Sequence, residues 1–89
     1  MTAYRILVEG NVQGVGFRYH SRNQANSLGV AGWVKNQADG SVLIVAEGKT
    51  EQLELFIAWC HKGPRNARVH NITIEETTSK GYTGFDIKF

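Results

Sequence analysis

The stretch Val30-Ala31-Gly32-Trp33-Val34-Lys35-Asn36-Gln37-Ala38-Asp39-Gly40-Ser41-Val42-Leu43-Ile44-Val45-Ala46-Glu47 decides the fold. Val30 to Asn36 reads as a strand centred on Trp33 and Val34. Gln37-Ala38-Asp39-Gly40 is a turn, because its Asp-Gly pair tolerates positive φ. Val42, Ile44 and Ala46 then alternate with Leu43, Val45 and Glu47, the period of a second strand. The segment is a hairpin.

Helical patterns flank it on both sides. Phe17, Ser21, Ala25 and Leu28 fall on one face of a rather polar helix, with Gly29 placed to end it. Lys49 to Lys62 carries Leu53, Phe56, Ile57 and Cys60 at i, i+3, i+4 and i+7, an amphipathic helix that Gly63-Pro64 stops. Outside the helices, Tyr4, Ile6 and Val8 alternate with Arg5, Leu7 and Glu9. Val69 to Glu76 is strand-like around Ile72 and Ile74, and Phe85, Ile87 and Phe89 form a last short strand. The order is βαββαβ with an extra terminal strand. A hairpin between two helices requires a mixed, mainly antiparallel sheet with both helices on one face. That is the α+β, ferredoxin-like split βαβ sandwich.

Length and composition agree. Residues 1–89 make one domain, too short for a two-domain dinucleotide enzyme or for a (β/α)₈ barrel of about 250 residues. Hydrophobic residues are 42% and charged residues 20%, which excludes a disordered chain. The net charge of +2 suits an anionic ligand, but no run of like charges marks a nucleic-acid partner. Cys60 stands alone, so no internal disulfide and no paired-cysteine zinc site forms, and the thiol fits a reducing compartment. The first apolar run is too short for a signal peptide, and nothing approaches the roughly 20 apolar residues of a membrane helix. The expectation is a cytoplasmic protein with no membrane partner. A monomer is expected too, since no hydrophobic face is left over.

The chemistry concentrates in Gly10-Asn11-Val12-Gln13-Gly14-Val15-Gly16-Phe17-Arg18-Tyr19-His20, between a strand and a helix. Gly10 to Gly16 reads as a loop. Its glycines let successive backbone N–H groups turn toward one point, and the helix start adds unpaired donors and partial positive charge. Together they form an anion cradle. Arg18 stands beside it, and its planar guanidinium can grip two phosphate oxygens at once. Gly14-Val15-Gly16 could open a dinucleotide fingerprint, but Tyr19 occupies the third glycine position. The same residues faintly echo an RNA-recognition motif, which belongs on a strand after the first helix rather than before it. A tight turn with Arg18 as a solvated charge also accounts for the loop.

Val12-Gln13-Gly14-Val15-Gly16-Phe17-Arg18 resembles the phosphate loop of the acylphosphatase family. Gly32-Trp33-Val34-Lys35-Asn36, followed by Gly40, Val42 and Gly48, resembles that family's second motif. Gly63-Pro64 before Ala67-Arg68-Val69 resembles the region after its second helix, so the likeness runs the full length. It implies the same fold and hydrolysis of the mixed anhydride of a carboxylic acid and phosphate. It also implies that Arg18 binds the phosphoryl group and Asn36 positions the attacking water. The backbone amides of Val12, Gln13, Gly14, Val15 and Gly16 would hold the phosphate. The expected partners are a small acyl phosphate and the inorganic phosphate it yields.

This chemistry asks for little. A carboxylate leaving group has a conjugate-acid pKa of about 4, so the leaving oxygen needs no proton at neutral pH. No metal, cofactor or nucleophilic cysteine is called for. His20, His61 and His70 are scattered without metal-ligand spacing. Cys60 reads as core packing, Trp33, Trp59 and Tyr82 as core or rim, and Asp39 and Glu47 as turn and strand-end charges. The competing reading is a non-catalytic anion- or RNA-binding module of the same fold. Asn36 separates the two, since a binder has no use for a water-positioning amide; by itself, Asn also suits a strand end before a turn. The enzymatic reading requires the second strand to lie beside the start of the first helix.

Overall fold

The computed structural model describes residues 1–89. The elements in chain order are β1 (Thr2–Asn11), α1 (Phe17–Leu28), β2 (Ala31–Asn36), β3 (Val42–Gly48), α2 (Thr50–Lys62), β4 (Arg68–Glu76) and β5 (Phe85–Lys88). They build one five-stranded sheet in the order β4-β1-β3-β2-β5. The β1–β3, β1–β4 and β2–β3 pairs are antiparallel, and β5 joins the β2 edge in parallel. Two βαβ units therefore interleave: β1-α1-β2 straddles β3, and β3-α2-β4 straddles β1. This is the ferredoxin-like arrangement expected from the hairpin.

Alternation along the strands sorts the sheet into two faces. Ile6 and Val8 of β1, Val34 of β2, Val42, Ile44 and Ala46 of β3 and Phe85 of β5 are buried in one core. The helices close it with Phe17 and Ala25 from α1 and Leu53, Phe56 and Cys60 from α2. The buried stripe of α1 is narrow, Phe17-Ser21-Ala25, and Ser21 Oγ donates back to Arg18 O at 3.0 Å. Small residues at i+4 and i+8 suit close packing of an otherwise polar helix. Both helix ends stop as their glycines require. Gly29 has φ 73°, with Val30 N–H donating to Ala25 O at 2.8 Å, and Gly63 N–H donates to Trp59 O at 2.7 Å.

Two details depart from expectation. Gly10 and Asn11 do not open the loop but continue β1, paired with Val69 and Arg68 of β4 after a bulge between Glu9 and Gly10. Gly10 sits at φ 138°, and a Cβ there would collide with Arg68 O. Its glycine thus serves a close strand crossing, not the anion cradle.

Glu47 stands at the end of β3, as expected, but it is buried and has structural partners. It is 3% exposed, and its carboxylate accepts Lys80, Gly81 and Tyr82 N–H at 2.8, 3.0 and 3.2 Å and Ser79 Oγ–H at 3.2 Å. One buried anion thereby pins Ser79 to Tyr82, the middle of the segment between β4 and β5. Trp33 lies on the open face of the sheet, donating to Tyr82 Oη at 3.2 Å, with Lys88 Nζ 4.5 Å from its ring centroid.

Removing that anchor leaves three main-chain donors unmet. Glu47→Ala is expected to lower unfolding free energy by about 2–4 kcal/mol in urea titrations. Cys60 is fully buried, and burial pushes its thiol pKa far up. Thiol reagents should therefore label the native protein only as fast as it opens; rapid labelling without denaturant would contradict that.

Candidate active site

Val12-Gln13-Gly14-Val15-Gly16 leaves β1 and runs into the start of α1. Gly14 and Gly16 have φ 75° and 80°, the left-handed region that glycine alone enters freely. Positive φ at alternate residues turns successive N–H groups toward one side. None of the N–H groups from Val12 to Gly16 donates to a carbonyl or side chain of the protein. The first backbone bond of α1 is His20 N–H to Gly16 O at 3.0 Å, so the N–H groups of Phe17, Arg18 and Tyr19 have no intrahelical acceptor. No side chain caps this helix end and no acidic residue stands in its first turn. A run of donors with partial positive charge is thus left to meet something other than protein.

A recess of about 270 Å³ opens here, lined by Val12, Gly14, Gly16, Phe17, Arg18, Tyr19, Asn36, Ile87 and Phe89. Arg18 and Asn36 therefore line one recess, the adjacency that the enzymatic reading required. Asn36 is the last residue of β2, and its carboxamide makes no hydrogen bond within the protein. Arg18 is half-buried. Its Nη1 donates to Lys88 O at 3.2 Å, and its guanidinium carbon lies 4.7 Å from the Phe89 ring centroid.

Of the five loop residues expected to offer amides, Val12, Gly14 and Gly16 line the recess, while Gln13 and Val15 do not. Val15 packs against the core. Gln13 has a task its sequence position did not disclose. Its Nε2 donates to Gln37 O at 2.7 Å and to Ser41 O at 2.9 Å. That strut ties the glycine loop to the turn immediately after Asn36. The turn is itself braced: Ser41 N–H and Oγ–H donate to Asp39 Oδ1 at 2.9 and 2.6 Å, and Gln37 Nε2 donates to Ser41 Oγ at 2.9 Å. Those bonds from Ser41 hold the Asp39 carboxyl below its ordinary pKa.

The C-terminal strand was expected, but its part in the site was not. Parallel pairing of β5 on β2 sets Ile87 beside Val34 and Lys88 beside Lys35, which carries Phe89 toward Asn36. The alternation of Phe85, Ile87 and Phe89 indicated the strand but not its parallel pairing with β2. His20 is exposed and lines a separate recess with Trp59, Pro64 and Arg65. No three His, Cys, Asp or Glu side chains converge as metal ligands.

Comparison with known proteins now decides the class. The family model described as Acylphosphatase matches residues 4–87. The chain belongs to the acylphosphatase family. An acylphosphatase of Thermotoga maritima is 54% identical over 89 residues, covering 100% of this chain and 99% of that protein. The crystal structure of acylphosphatase from Bacillus subtilis superposes with a TM-score of 0.97 at 41% identity, each chain covered completely at 100%. An acylphosphatase structure from Coxiella burnetii gives 0.94 at 37% identity, covering 98% of this chain and 92% of that one. The chain is thus an enzyme of the acylphosphatase type, with a small-molecule acyl phosphate as the family's substrate class. No helix is long and apolar enough to cross a membrane.

The Gln13 strut yields a prediction that does not depend on catalytic roles. Gln13→Ala removes a second donor from each of two carbonyls, Gln37 O keeping Gly40 N–H and Ser41 O keeping Gln37 N–H, and should cost about 1 kcal/mol in urea unfolding. Gln13→Glu, which aims a carboxylate at the same carbonyls, should cost at least as much; wild-type stability in both would remove the strut from the account.

Proposed function

We propose that this protein hydrolyses acyl phosphates without a metal ion, with the phosphoryl group held by the Val12–Gly16 loop and Arg18 and the attacking water held by Asn36. The observation that carries the reading is the sharing of one recess by unpaired loop N–H groups, an arginine fork and a free carboxamide. Family membership makes acyl phosphate the substrate class.

Each part has a physical task. Charge spreads over the equatorial oxygens of a transferring phosphoryl group, so fixed donors around them lower the barrier. Loop amides and the first turn of α1 supply neutral donors already oriented by the backbone. Arg18 adds a full charge in a planar fork, itself steadied by Lys88 O and Phe89. Asn36 orients a water, and a well-placed reactant recovers several kcal/mol of orientation entropy, up to roughly 7–11 in ideal cases. An amide is no base. The water therefore passes its proton to a phosphoryl oxygen as its own oxygen bonds to phosphorus. The bond from phosphorus to the acyl oxygen breaks, and the products are a carboxylate and dihydrogen phosphate. Because the departing carboxylate is a weak base, no general acid is needed at neutral pH. A cytoplasmic, monomeric enzyme of one domain fits this reading.

Three measurements follow. Benzoyl phosphate should be hydrolysed at an undiminished rate in excess chelator; no turnover above the spontaneous rate would end the proposal. Arg18→Lys should lose most activity, because the two-pronged grip becomes a single point charge. Asn36→Ala should lower kcat by about 10²–10³ while inorganic phosphate still inhibits with near-normal affinity. Loss of phosphate binding in that variant would reassign Asn36 from the water to the anion.

A further inference from the structure

Two of the five exposed large hydrophobic residues of the chain, Tyr19 at 53% and Phe89 at 95%, stand at the mouth of the same recess. Half-buried Ile87 completes that side. Exposed aromatics are costly to leave in water, and here they gather beside an anion cradle rather than scatter. One tertiary contact and two within α1 place these rings. Phe89 lies against the Arg18 guanidinium at 4.7 Å, and Tyr19 is edge-on to His20 at 5.3 Å, with the Arg22 guanidinium 5.2 Å from its ring.

The polar side chains of the recess are few. Arg18 and Asn36 are the ones with hydrogen-bonding groups beyond the Tyr19 hydroxyl, and both have tasks at phosphorus. Hydroxyl or amino substituents on an acyl group would find little to pair with on this wall. A phosphoryl group and one water occupy only part of about 270 Å³, against roughly 30 Å³ for a water in the liquid.

Resting on the acyl phosphate reading above, we infer that Tyr19, Ile87 and Phe89 form an acyl-binding wall, and that the enzyme favours phosphates of apolar carboxylic acids over those of small or polar ones. The chain of the substrate lies along the aromatic rim while its phosphate sits in the loop. The wall contributes to binding in proportion to apolar area covered, so the advantage grows with chain length.

The test compares hexanoyl phosphate with acetyl phosphate. Their leaving carboxylates differ little in basicity, so the acyl chain is the main variable. In the wild-type protein kcat/KM should be about tenfold higher for hexanoyl phosphate, since four methylenes are partly covered. Tyr19→Ser should cut that ratio about threefold with inorganic phosphate inhibition changed less than twofold, and Tyr19→Phe should keep the ratio. Equal kcat/KM for the two substrates, or a ratio untouched by Tyr19→Ser, would overturn the wall and leave the hydrolytic reading standing. Failure to hydrolyse either substrate above the spontaneous rate would overturn the reading beneath it.

Discussion

Folded chains seldom leave consecutive main-chain N–H groups without acceptors, yet this one does so along the loop from Val12 to Gly16. The constraint shapes everything around it. Such a loop must stay at the surface, because burial of unpaired donors costs about 1–3 kcal/mol each. Glycines at 14 and 16 admit the positive φ values but also make the loop entropically expensive to order. Something else must hold it still.

The scaffold does so from three directions. Phe17 and Val12 anchor the loop's two ends in the core. Gln13 bolts its middle to the β2–β3 turn, which Asp39, Gln37 and Ser41 stiffen with their own bonds. On the far side, Glu47 pins the segment that delivers β5 to the sheet edge, and β5 brings Lys88 O and Phe89 to Arg18. The loop with its guanidinium and the Asn36 carboxamide thus belong to separate parts of the chain. Yet each is referred to the same sheet, which gives a small fold a defined site without a disulfide.

The sequence disclosed what local rules govern. Period-two alternation located the strands, the i, i+3, i+4, i+7 pattern located α2, and Gly29 and Gly63 marked helix ends because only local φ decides them. Arg18 and Asn36 stood out because short glycine-bearing motifs surround both. Hidden from that reading were roles fixed by distant partners. Gln13 acts across 24 residues, Glu47 across 32 to 35, and Arg18 meets Lys88 across 70. Glu47 ended an alternating strand, and nothing local revealed that three N–H groups would converge on it. Gly10 looked like part of the glycine loop because composition alone cannot distinguish a bulge from a turn. Phe89 was counted as a strand residue, since only the parallel pairing of β5 with β2 carries it to the site.

In the proposed mechanism, fixed backbone dipoles and one guanidinium charge stand in for acid–base groups. That exchange is tested most directly by titrating ¹⁵N-labelled protein with inorganic phosphate and following every amide by NMR. Saturable shifts are expected at the backbone N–H groups of Gly14, Gly16 and Arg18, with the Asn36 side-chain amide moving and His61 and His70 undisturbed. Shifts centred on another face, or saturation with the glycine-loop amides unmoved, would contradict it.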